Sequence, residues 1–82
     1  MAQIQLRKIF AMLKVCAPGH ERTETKHHWA IRYRGSAYRR LPKGQHSRQR
    51  SLRGDVNSFH VKAMCRRLGI LDCARRELEQ LS

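Results

Sequence analysis

Between His28 and Arg34 the side chains alternate: Trp29, Ile31 and Tyr33 share one parity, and His28, Ala30, Arg32 and Arg34 share the other. A period of two marks a strand with one face buried and one open. Gly35-Ser36 follows as a turn signal, and Ala37 to Leu41 reads as the returning strand. Pro42 stops that strand, because it has no N–H to give a ladder. A lone hairpin is at best marginally stable in water. Its apolar face must be covered, and the flanking sequence supplies helices for that purpose.

Leu6, Ile9, Phe10 and Leu13 recur at three- and four-residue steps, which predicts an amphipathic helix from about Gln3 to Val15, ended by Pro18-Gly19. The stretch Gly19 to Lys26 is polar; Thr23 and Thr25 permit a short strand, but apolar alternation is missing. Past the hairpin, Lys43 to Gly54 is basic and aperiodic and reads as a loop. Asn57 or Ser58 then caps a second helix whose apolar face is Val61, Met64, Cys65 and Leu68. Gly69-Ile70 is a Schellman-like ending, and Asp72 can cap a third short helix carrying Ala74, Leu78 and Leu81. Helices grouped on one face of a small antiparallel sheet of two or three strands give the α+β class, in α-β-β-β-α-like order. The chain reads as one domain, 1–82, with a basic loop at 43–54 and an appended helix at 71–82.

With 82 residues the core is thin, and a formal net charge of +12 adds self-repulsion. A hydrophobic content of 40% still argues for folding over disorder. Ile9 to Val15 is interrupted by Lys14 and too short for a signal core or a membrane span, so a cytoplasmic location is expected. Cys16, Cys65 and Cys73 are an odd set, which argues for a reducing compartment, with helical cysteines acting as small apolar residues. Cys16-x-x-x-His20 is a poor metal pair and Cys65/Cys73 match no common zinc spacing, so neither metal nor cofactor is expected.

The charge is concentrated. From Thr25 to Gly54 no acid occurs, while Lys26, Arg32, Arg34, Arg39, Arg40, Lys43, Arg48, Arg50 and Arg53 all fall there. Such a block calls for a polyanion, and nucleic-acid backbone fits because Lys and Arg gain affinity by releasing condensed counterions. The open strand face would carry His28, Arg32 and Arg34, with Tyr38 and Arg40 beside them. Arginines hold phosphates bidentately, a tyrosine ring can stack on a base, and histidine titrates near neutral pH. The expected nucleic-acid contacts are therefore Arg32, Arg34, Tyr38, Arg40, Lys43, Arg48, Arg50 and Arg53. RNA cleavage without a metal needs a base for the 2′-hydroxyl proton and cations for the phosphate, and His28 among arginines is a candidate set. His27 is the alternative, although its parity points it toward the core side.

The run His27-His28-Trp29-Ala30-Ile31-Arg32-Tyr33-Arg34-Gly35, followed by Arg40-Leu41-Pro42, resembles the core of the HicA-type mRNA interferase toxins. His60-Val61-Lys62-Ala63-Met64-Cys65-Arg66-Arg67-Leu68-Gly69-Ile70 resembles that family's last helix. The resemblance covers Leu6 to Ile70. It implies a fold like a double-stranded-RNA-binding domain, metal-independent mRNA cleavage with His28 in the catalytic position and His27 next, and an acidic HicB-like antitoxin as partner. The alternatives are a non-catalytic RNA- or DNA-binding module using the same face, a DNA-binding helix-turn-helix built from the last two helices, and a basic surface for an acidic protein. Glu77 and Glu79 speak against the helix-turn-helix, since they would set acids against phosphates.

Overall fold

The computed structural model describes residues 3–43 and 54–81. The elements run β1 (Gln3–Gln5), α1 (Leu6–Cys16), β2 (Glu21–Glu24), β3 (His28–Tyr33), β4 (Ser36–Pro42), β5 (Asp55–Asn57), α2 (Ser58–Leu68) and α3 (Leu71–Glu77), then a 3-10 turn at Glu79–Leu81. This is an α+β fold, as expected, in the order β-α-β-β-β-β-α-α: three strands follow α1 as the sequence suggests, and β5 is added before α2. One antiparallel sheet has three strands in the order β2-β3-β4, and a second sheet pairs β1 with β5.

The first helix starts later than its periodicity predicts. Gln3 to Gln5 are extended and pair with β5, Ile4 lying opposite Val56 with both buried, and the Leu6 amide donates to the Gly54 carbonyl at 2.9 Å. A three-residue strand whose partner lies about fifty residues away leaves no local signal, so the helical pattern hides it. From Leu6 the helix behaves as expected: Leu6, Ile9, Phe10, Met12, Leu13 and Cys16 are buried, and each large apolar side chain fully removed from water contributes about 1.5–3 kcal/mol.

The weak polar strand exists. All of β2 is exposed, and it is held by its ladder to β3 instead of by burial. Its turn into β3 is closed by Thr25, whose amide and hydroxyl both donate to the His28 carbonyl at 2.9 Å. Between β3 and β4, Tyr33 pairs with Ser36, leaving a two-residue loop in which Arg34 and Gly35 both take positive φ (49° and 82°). That is the requirement of a type I′ turn, whose twist matches the flanking strands.

The second helix matches its sequence signals closely. The Asn57 side chain accepts from the Phe59 amide at 2.9 Å, and Val61, Met64, Cys65 and Leu68 are buried. Gly69 ends it at φ 73°, and the Ile70 amide reaches back to the Cys65 carbonyl at 2.9 Å. In α3, Asp72 lies within the first turn and does not cap it; no side chain among the described residues does. Ala74, Leu78 and Leu81 are buried as the pattern requires.

The cysteine reading needs correction. Cys16 and Cys73 are bonded to each other, tying the end of α1 to α3 across 57 residues of sequence. Only Cys65 is a buried thiol, and burial pushes it up to about 12. Since structural disulfides persist in oxidising environments, cysteine usage no longer supports a reducing compartment. No helix among the described residues is long and apolar enough to cross a membrane.

Candidate nucleic-acid interface

The three-stranded sheet has a helix-covered face and an open face, and the register decides which side chains belong to each. Trp29 lies opposite Leu41 and Ile31 opposite Tyr38, so β3 advances two residues while β4 advances three. The extra residue makes a bulge in which Arg39 and Arg40 together oppose Ala30. Plain alternation would put Tyr38 outward with Arg40. The bulge changes the parity instead: Tyr38 shares the face of Ile31 and packs half-buried against the core. Tyr38 is therefore no stacking ring on the open face.

His28, Ala30 and Arg32 do occupy the open face of β3, with Arg32 exposed and His28 half-buried. Four residues of strand separate the backbones of His28 and Arg32 by about 13 Å, so they cannot attend one phosphate. Nearer to His28 are the bulge arginines, opposite Ala30 one step along the same face. The face is not free of acid, since Glu21 stands in register with Arg32, although no ion pair joins them among the described residues. His27 departs from its expected parity: it lies exposed in the β2–β3 turn and points to no core.

Arg34 also departs from expectation. Its place in the turn takes it off the face of Arg32, and its guanidinium lies 5.2 Å from the Tyr33 ring centroid. There it lines a groove of about 590 Å³ at the α2–α3 corner with Arg66, Arg76 and Asp72. Lys43 is not a spare cation, because its Nζ donates to Glu24 Oε2 at 2.8 Å. Arg48, Arg50 and Arg53 lie outside the described residues.

What the structure does assemble is a groove of about 950 Å³ along β4, walled on its far side by α2. Its lining runs from Gly35 through Tyr38, Arg39 and Arg40 to Ala63 and Arg67, with no carboxylate among the described residues that line it. Arg67 Nε donates to the Ala37 carbonyl at 3.3 Å, which fixes the helix beside the strand edge. Ala63 keeps the wall low between the guanidinium groups. Of the residues expected from sequence, the groove gathers Arg40 and Tyr38; Arg39 and Arg67 were missed. The Arg39-Arg40 doublet was visible, but alternation gave only one of the two a role, and nothing local placed the last turn of α2 beside β4.

The groove offers planar, permanently charged donors in a row, suited to bidentate contacts with phosphate oxygens. No group of three or more His, Cys, Asp or Glu stands together among the described residues, and the disulfide takes up Cys16 of the Cys16/His20 pair. The His20 Nδ1 lies 2.9 Å from the Ala17 carbonyl. No family model, curated protein or solved structure matches the chain.

Proposed function

We propose that this protein binds the sugar-phosphate backbone of RNA along β4, with Arg39, Arg40 and Arg67 as the principal phosphate contacts and Arg32 as a flanking one. The observation that carries this reading is the groove between β4 and α2, in which arginines from a bulge and from a helix face the same space and no carboxylate stands among the described lining residues. An ordinary solvated surface mixes charge signs, and this groove does not. The choice of RNA over DNA rests on the resemblance to the HicA-type toxins. An acidic partner of the HicB kind would compete for the same groove.

The test is binding of a short RNA duplex at several salt concentrations. Each arginine changed to Gln (Arg39→Gln, Arg40→Gln, Arg67→Gln) should weaken binding across all sequences and flatten the log–log salt slope by about 0.9 for every phosphate left without its cation. A triple variant with an unchanged slope would remove the groove from the interface.

A second reading, cleavage of the bound RNA, is favoured by the half-exposed His28 imidazole on the open face beside the bulge arginines. Neutral His28 would take the 2′-hydroxyl proton, the 2′-oxygen would attack the adjacent phosphorus, and the 5′-oxygen would leave with a proton from water, giving a cyclic phosphate end. Arg40 would stabilise the charge that builds on the phosphate. In RNA incubated with chelator, wild type should then yield cyclic-phosphate fragments and His28→Ala none. Binding without fragments from wild type leaves the module non-catalytic.

A further inference from the structure

A second cationic groove lies on the other side of the molecule, and no part of it falls in the basic block at 25–54. It is about 490 Å³ and is lined by Arg7, Phe10, Ala11 and Lys14 of α1, by Gly19 and His20, and by Arg22 of β2. No carboxylate is among the described residues that line it. Residues 1–20 contain no Asp or Glu at all, and the first acid, Glu21, points to the opposite face of the sheet, where it stands in register with Arg32. Arg22 is held in place, its guanidinium 4.3 Å from the centroid of the Phe10 ring, which itself packs edge-on against Trp29 at 5.1 Å. Arg7 and Lys14 sit two turns apart on one exposed stripe, about 10 Å along the helix, with Ala11 as a low floor between them. This geometry presents cations at intervals along a shallow channel.

Among the described residues the two grooves share no lining side chain. In the sheet order β2-β3-β4 they belong to opposite edges, one on β2 and the other on β4. A stiff duplex running along one edge cannot turn to meet the other, because nucleic-acid duplexes bend only over far longer distances than this small molecule spans. From these placements we infer that the protein is bivalent for nucleic acid: the groove of Arg7, Lys14 and Arg22 takes the phosphate backbone of a second molecule while the β4 groove holds the first. The inference rests on the RNA-binding reading above. It makes the chain a bridge that draws two backbones together, with the three-stranded sheet between its β2 and β4 edges as the spacer.

The experiment uses two short RNA duplexes, one fixed to beads and one fluorescent. Protein is loaded on the beads at less than one molecule per duplex, unbound protein is washed away, and the fluorescent duplex is added. Wild type should capture the fluorescent duplex. The variant Arg7→Gln/Lys14→Gln, which changes two exposed side chains, should load equally well and capture at least tenfold less. If wild type loads but captures nothing, or if the double variant captures as wild type does, the bridging groove is wrong and single-site binding stands. If wild type does not load at all, the RNA-binding reading itself falls and takes the bridge with it.

Discussion

Arg34 sits where a protein built only for stability would place Asn or Gly. At φ 49° it is the one non-glycine residue with positive φ among the described residues, in a turn type that favours Asn-Gly. A side chain with a Cβ in this region costs roughly 1 kcal/mol or more. The guanidinium gains some of that back by stacking on Tyr33, but the backbone conformation still costs stability. Arg34→Asn should therefore raise the unfolding free energy by about 0.5–1 kcal/mol, because Asn tolerates the conformation. The same change should leave the salt slope of RNA binding nearly unchanged, because Arg34 lines neither the β4 groove nor the groove of Arg7, Lys14 and Arg22. Urea unfolding and RNA titration on one preparation check both outcomes, and a variant that is less stable would show that the stacking outweighs the backbone strain.

At the scale of elements, the cap of α2 gives the clearest expectation. Asn57 Oδ1 accepts from the Phe59 amide, so Asn57→Ala should lower stability by about 1 kcal/mol in a urea titration, with the salt slope of RNA binding unchanged. This helix was legible from sequence at both ends because its signals are local: a capping side chain, an apolar face at three- and four-residue steps, and a glycine followed by an apolar residue. The β3–β4 hairpin was legible for the same reason. Two things were not. The β1–β5 pairing joins short segments distant in the chain, whereas β2, a strand without a buried face, was still legible as a polar stretch that permits one. The bulge in β4 is the costliest omission for the site, since one inserted residue turned Tyr38 inward and set Arg39 beside Arg40. A period-two reading cannot register an extra residue, so the strand face it draws pairs Tyr38 with Arg40 where the bulge pairs Arg39 with Arg40.

For the molecule as a whole, the Cys16–Cys73 bridge joins two helices that the thin core otherwise holds through Ala74, Leu78 and Leu81. A loop of this length constrains the unfolded chain by about 4 kcal/mol in the entropic account, which is a large share of what so small a domain can possess. Reduction with dithiothreitol should lower the unfolding free energy by about 2–4 kcal/mol. The variant Cys16→Ser/Cys73→Ser should match the reduced protein and show no response to reductant; an equal response in both would mean that the bond is not made. The exposed β2 edge has a different consequence. A strand with open N–H and C=O groups invites a neighbour's strand to extend the sheet, and a neutral apolar edge would seed fibrils. Glu21, Arg22 and Glu24 instead surround that edge with fixed charge, so a concentrated solution of this protein meets a ladder it cannot lengthen without desolvating ions.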